Sequence, residues 1–266
     1  MFTTVGFIGC GNMGGAMARA VRMVGPEVEL FFANRSPEKA ETLAAQLGGQ
    51  VVDNLWAAKN CSLIFLGVKP QIMPQVLEEL APVLAQRTDR FVLLTMAAGL
   101  TMERIRQLAG GDYPVARIMP NTPAAIGAGV IQLCTRDVTE EEKQELTLLL
   151  SGAGLVDELE EHLIDAACAV SGCGPAFAYM FMDALAKSGA DCGLPYEKAL
   201  LYAGKMLEGA ARLAVESGRS PKELRDAVCS PGGATIQGVK ALEDNGFETL
   251  AGEAVRAAYR RTLELK

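Results

Sequence analysis

The 266-residue chain is half hydrophobic and 21% charged, with a net charge of −7. That balance supports a sizeable packed core, excludes a disordered chain, and argues against a nucleic-acid binder, which needs a concentrated basic face. The length exceeds one ordinary domain, so two are expected.

Seven cysteines (Cys10, Cys61, Cys134, Cys168, Cys173, Cys192 and Cys229) are scattered without CxxC spacing, the usage of a reduced, cytoplasmic protein. The single histidine, His162, has no cluster of companion ligands, so no metal site is expected. The chain enters its first strand at once, leaving no room for a signal peptide. The apolar stretch 166–186 is interrupted by Gly172, Gly174, Pro175 and Asp183 and reads as a buried helix, not as a membrane span.

The first element is an apolar run over 4–8, followed by Gly9-Cys10-Gly11-Asn12-Met13-Gly14. This GxGxxG spacing gives a tight turn at the first glycine, backbone access to a pyrophosphate at the second and close strand–helix packing at the third. The helix predicted from Gly14 (apolar at Ala16, Met17, Ala20 and Val21) would point its free N–H groups at an anion. An ordinary strand–turn–helix corner is the competing reading. The second strand, 28–33, ends at Asn34-Arg35-Ser36, where NAD-binding units usually carry an acid for the ribose hydroxyls. With the acid absent, Asn34 can still reach the ribose, while Arg35 and Ser36 suit a 2′-phosphate, favouring NADP over NAD. A plain surface turn, with Ser36 capping a helix from Pro37, fits either cofactor.

A short strand is expected over 50–52, then Asp53-Asn54 and a helix around Trp56. The wholly apolar run 63–68 reads as a central parallel strand ending at Lys69-Pro70. Strand 91–96 ends in Ala97-Ala98-Gly99, small enough for a flat nicotinamide, and strand 115–119 ends in Pro120-Asn121-Thr122-Pro123. Ligands in such sheets lie beyond the carboxyl ends of the strands. Two further strands, 130–134 and 155–159, flank a helix from about Thr139, where Thr139 and Glu142 have capping-box spacing. From Leu163 onward only helices are expected. The boundary is placed at Glu161, giving domains 1–161 and 162–266.

In the second half, Val170-Ser171-Gly172-Cys173-Gly174-Pro175-Ala176 interrupts a helical pattern, as close packing or a kink would. A helix starts at Leu194-Pro195 and runs to about Glu216. In Cys229-Ser230-Pro231-Gly232-Gly233-Ala234-Thr235, N–H groups at a glycine-rich helix entry can hold a carboxylate, with Ser230 and Thr235 adding hydroxyls. Ser230 as N-cap with Pro231 at the first helical position is an equally good reading of the residues alone.

Together, Gly9-Cys10-Gly11-Asn12-Met13-Gly14, Val68-Lys69-Pro70, Arg117-Ile118-Met119-Pro120-Asn121-Thr122-Pro123, Ser171-Gly172-Cys173-Gly174-Pro175-Ala176 and Ser230-Pro231-Gly232-Gly233-Ala234-Thr235 resemble the pyrroline-5-carboxylate reductase family in order and spacing. Cys173 is a departure, since family members often carry Ser there. The resemblance implies an α/β N-terminal Rossmann domain with a mainly parallel doubly wound sheet. An all-helical C-terminal dimerisation domain follows it. The implied reaction is reduction of 1-pyrroline-5-carboxylate to L-proline by NADPH, with NADH a weaker donor. Carried over by position, Gly9, Cys10, Gly11, Asn12, Met13, Gly14, Asn34, Arg35, Ser36, Asn54, Val68, Lys69, Pro70, Met96, Ala97 and Ala98 bind the cofactor. Glu161, Val228, Ser230, Gly232, Gly233, Ala234 and Thr235 surround the substrate.

The implied chemistry is one hydride and one proton, with no nucleophile or metal. Gly232 and Gly233 N–H groups with Ser230 anchor the carboxylate, and Thr235 hydrogen-bonds the ring nitrogen as donor, relay or orienting group. His162 is given no catalytic role. The implied partners are the small-molecule substrate and a second copy of the chain through the helical domain, with larger assemblies left open and no nucleic acid or membrane. Two alternatives stand beside this reading. One is a related two-domain NADP reductase of a 3-hydroxy or 2-keto acid using Lys187 or Lys205. The other is a non-catalytic NADP-binding module, which would not need the glycine- and hydroxyl-rich stretch at 230–235.

Overall fold

The computed structural model describes residues 2–264; the outermost residues of both expected domains, 1 and 265–266, lie outside them. The chain forms two compact units. One comprises the residues up to Cys173 with those from Ala258 onward, and the other is Gly174–Ala257.

The first unit alternates strands and helices: β1 (Thr4–Ile8), α1 (Asn12–Val24), β2 (Glu29–Ala33), α2 (Pro37–Leu47), β3 (Gly49–Val51), α3 (Asn54–Asn60), β4 (Leu63–Leu66), α4 (Met73–Leu84), β5 (Val92–Thr95), α5 (Met102–Ala109) and β6 (Val115–Met119). After a 3-10 turn at Thr122–Ile126 come β7 (Gly129–Arg136), α6 (Glu140–Ser151), β8 (Gly154–Glu158), a 3-10 turn at Glu161–Leu163 and α7 (Ile164–Ala167). The eight strands form one sheet in the order β3-β2-β1-β4-β5-β6-β7-β8. All pairs are parallel except β6 with β7. The reversal at β7 was not expected from its apolar pattern, because alternation says nothing about strand direction.

The parallel strands are apolar on both faces because helices cover both. Alternate residues of β1 therefore feed two cores, Val5 and Phe7 on one face and Ile8 on the other. Phe7 anchors the first, stacked between Phe65 at 4.5 Å and Phe32 at 5.7 Å between ring centroids. Local chemistry sets the helix ends. Pro37 opens α2 and Gly48 closes it in the left-handed region at φ 68°. The Thr101 hydroxyl accepts from Arg104 N–H at the start of α5. Thr139 and Glu142 form the expected reciprocal cap on α6.

α7 continues into a π-turn, Cys168–Gly172, closed by the Cys173 N–H donating to the Cys168 carbonyl at 2.9 Å. This turn is the interruption seen in the sequence at 170–176. The last strand ends at Glu158, just before the boundary drawn at Glu161, while the compact first unit continues to Cys173.

The second unit is helical: α8 (Gly174–Asp191), α9 (Tyr196–Glu216), α10 (Pro221–Ala227), α11 (Ala234–Asp244) and α12 (Phe247–Leu263), whose last turns belong to the first unit. Gly189 lets α8 approach α9, since a side chain there would press on Ala199. Large apolar side chains remain outside, among them Met180, Leu201, Leu213, Val215 and Leu250. The helical run Glu161–Asp191 is long and apolar enough to cross a membrane by length and composition, and 22% of its apolar window is buried.

Candidate active site

The carboxyl ends of β1, β2, β4 and β5 carry the residues expected to meet a dinucleotide. At the β1–α1 corner Gly9 adopts φ +102° and donates its N–H to the Ala33 carbonyl at 2.8 Å. A side chain at Gly9 would strike the Gly67 backbone at 2.6 Å, so the strand ends β1 and β4 touch here through bare backbone. A Cβ on Gly14 would collide with the Gly9 carbonyl. Gly11 differs: nothing lies within 4 Å of where its Cβ would be. Two of the glycines are therefore required by packing, and the middle one leaves space open to a ligand. Gly11 is also the N-cap of α1, with no side-chain cap and no acid in the first turn, so the free N–H groups face that space. Burial pushes the Cys10 thiol up to about 11, which keeps it uncharged at this corner.

Asn34 supports this corner more than it offers itself to a sugar. Its Oδ1 accepts from Cys10 N–H at 2.9 Å and its Nδ2 donates to the Ser36 carbonyl at 2.8 Å. Arg35 and Ser36 are exposed, and Ser36 occupies the N-cap of α2 without a side-chain cap bond. A cleft of about 230 Å³ between α1 and α2 is lined by Gly11, Asn12, Gly15, Arg19, Lys39 and Thr42. Arg19 and Lys39 were not anticipated. The signal for Lys39 was its place in the first turn of α2, four residues past Arg35; Arg19 lies one helical step beyond Gly15.

Farther along the sheet edge, Val68, Pro70, Met96 and Ala98 are half-buried, Ala97 is buried and Lys69 is exposed. Asn54 opens α3, held by the Asp53 carboxylate accepting from Trp56 N–H at 2.6 Å. Glu161 is committed within its own unit: its Oε1 accepts from Met102 N–H at 2.7 Å and Arg117 Nη1 at 3.3 Å. Arg117, 1% exposed, also pairs with Asp165 at 3.0 Å. Beside this ion group Asn121 Nδ2 donates to the Ser171 carbonyl and Gln132 Nε2 to the Ser171 hydroxyl, both at 2.9 Å. His162 is exposed, with Nδ1 3.2 Å from Glu160. Among the described residues no cluster of three metal-ligating side chains occurs.

In the second unit, Val228, Ser230, Gly232, Ala234 and Thr235 lie on exposed backbone, with Gly233 half-buried. The reading of Ser230 as helix N-cap is overturned, because α11 starts at Ala234 and Gly233 is its N-cap. Gly232 sits at φ +73°, and the Gly233 N–H closes a turn on the Ser230 carbonyl at 3.0 Å. The turn leaves the first-turn N–H groups at Ala234 and Thr235 without intrahelical partners.

A mainly parallel sheet with a glycine corner facing open space, followed by a separate helical unit, defines a two-unit oxidoreductase with an N-terminal dinucleotide-binding domain. Residues 161–265 match the family model described as pyrroline-5-carboxylate reductase dimerisation, and residues 4–99 match that described as NADP oxidoreductase coenzyme F420-dependent. The chain is 32% identical over 265 residues to the pyrroline-5-carboxylate reductase of Escherichia coli K12, covering 98% of this chain and 97% of the relative. A solved pyrroline-5-carboxylate reductase from Coxiella burnetii superposes with a TM-score of 0.90 at 32% identity, covering 100% of this chain and 99% of that one. The Plasmodium falciparum pyrroline carboxylate reductase, solved with NADP bound, gives 0.88 at 29% identity over 99% and 98% of the two chains. The chain belongs to the pyrroline-5-carboxylate reductase family.

Proposed function

We propose that this chain reduces 1-pyrroline-5-carboxylate to L-proline with NADPH. The observation that carries the cofactor half is the open space over Gly11 at the uncapped start of α1, where a pyrophosphate gains the helix N–H groups. Gly9, Cys10, Asn12, Met13 and Gly14 shape that corner, and Asn34 holds it. Arg35 and Ser36, with Lys39 and Arg19 from the adjoining cleft, receive the 2′-phosphate. Asn54, Val68, Lys69, Pro70, Met96, Ala97 and Ala98 border the adenine-to-nicotinamide path along the strand ends.

NADPH supplies a hydride to the ring carbon of the C=N bond, and the nitrogen ends with one hydrogen. The protein's part is position. The N–H groups that begin α11, with Ser230 and Gly232, take the substrate carboxylate. Gly233 acts by capping the helix and closing the turn. The Thr235 hydroxyl bonds the ring nitrogen, orienting an iminium or passing a proton to an imine. Val228 borders the ring, and Glu161 is placed to act through Arg117 and the Met102 amide.

The family's dimerisation domain covers residues 161–265, and a homodimer follows from it. We assign the apolar outer face of α8 and α9 to that contact. The Asp183–Lys187 pair on α8 suits a protein partner better than lipid, where charges are costly. The functional boundary near Glu161 and a cytoplasmic location complete the reading.

The deciding experiment follows NADPH consumption with 1-pyrroline-5-carboxylate, then with NADH and with a panel of 2-keto and 3-hydroxy acids. Turnover on the cyclic imine alone is expected. Activity on an oxo acid with none on the imine overturns the substrate assignment, and binding of NADPH without any turnover overturns the enzyme.

A further inference from the structure

The π-turn brings together two side chains that an α-helix would keep apart. At 3.6 residues per turn, positions five apart point about 140° away from each other around the helix axis. Here the Cys173 N–H bonds back to the Cys168 carbonyl, so residue 173 returns over residue 168, and burial together with the neighbouring Cys173 thiol holds the Cys168 thiol up. Gly172 leaves Cys168 Sγ uncrowded on that side, since a Cβ there would lie 2.9 Å from it. The turn is also held from outside, with Asn121 and Gln132 both bonded to Ser171. Both cysteines are partly exposed, and the space around Gly174, next to Cys173, is open.

We propose that Cys168 and Cys173 form a reversible dithiol–disulfide pair that reacts with two-electron oxidants, a peroxide or a small disulfide. With peroxide, the Cys173 thiolate attacks one oxygen, the O–O bond breaks and hydroxide leaves, giving a sulfenic acid. Cys168 sulfur then attacks Cys173 sulfur; the S–S bond forms, the S–O bond breaks and hydroxide leaves again, each hydroxide becoming water with a thiol proton. Two thiols are oxidised and one peroxide is reduced to two waters. With a small disulfide the same pair closes by two exchange steps, releasing two small thiols. Burial pushes the Cys168 thiol up to about 11, which disfavours it as the attacking thiolate. Cys168 therefore serves as the resolving thiol. The thiols of Cys10, Cys61 and Cys134 are buried and pushed up to about 11 or 12, which leaves them slow to react.

The test uses the full chain, reduced, exposed to hydrogen peroxide or oxidised glutathione, then denatured, alkylated and mapped by mass spectrometry. The expected product lacks two hydrogen atoms within the peptide that carries both residues, and dithiothreitol restores it. Cys168→Ser should turn trace dimedone labelling of Cys173 into near-stoichiometric labelling. The proposal is overturned if both residues remain alkylatable under conditions that oxidise Cys192. Sulfinic acid at Cys173, with Cys168 still reduced in the unmutated chain, overturns it equally.

Discussion

Thr235 is the second residue of α11 and is exposed, in the first turn where the helix N–H groups lack intrahelical partners. Thr235→Ala should lower turnover about 100-fold, the lower range for a lost proton-transfer group, while NADPH binding measured by titration stays the same. Equal loss of both would make Thr235 a support of the fold. Arg35→Ala removes a charged donor from the 2′-phosphate and should weaken NADPH about 10- to 100-fold. NADH titrations should show no change; an unaltered preference between the two cofactors would reject the role. Arg117 belongs to a different kind of site. It is buried with Asp165 and also reaches the half-buried Glu161, and Arg117→Met, which strips a buried carboxylate of its guanidinium, should cost about 3–5 kcal/mol in urea unfolding. The glycine corner was legible in sequence because its spacing is local. The partners of Glu161 were not, since Met102 and Arg117 lie far along the chain, and Lys39 and Arg19 show their place only once α1 and α2 flank one cleft. The reading of Ser230 as a helix N-cap fails for a subtler reason: Ser-Pro imitates a helix start, yet the glycines after it extend the turn and the helix begins only at Ala234.

Most elements could be drawn from apolar runs and their stops, and the capping box at Thr139 and Glu142 is present as the spacing required. Thr139→Ala should cost about 1 kcal/mol, read from the unfolding midpoint. The partner of that cap titrates. Arg90 hydrogen-bonds Glu142 and, with the Thr139 N–H, holds its carboxyl below the ordinary value. Since the folded group is the stronger acid, its contribution is complete above the unfolded pKa and fades as pH falls through the lower folded one. Unfolding measured from neutral to acidic pH should therefore show a smaller acid-induced loss in Glu142→Gln than in the unmutated chain. Two elements lay beyond the pattern. The reversed direction of β7 depends on its pairing with β6, and the π-turn depends on a hydrogen-bond register that residue types do not encode; its position alone was visible.

The helical unit leaves Met180, Leu201 and Val215 in water, more than an isolated domain of its size usually tolerates. Replacing Met180 and Leu201 by Asp should shift the protein from dimer to monomer in sedimentation equilibrium; an unchanged mass would place the contact elsewhere. Two domains could be read from length, and the separation of sheet from helices from where strand patterns cease. The sheet order has a consequence for how the protein is made. β1 is made before both of its neighbours, yet it takes its place at the middle of the sheet between β2 and β4. Its second edge stays bare until Leu66 has emerged, so a nascent chain stalled between residues 34 and 62 displays an unpaired apolar strand, Val5 to Ile8, to anything nearby. Translation through α2, β3 and α3 is thus the interval in which chaperone capture or aggregation of this chain is decided.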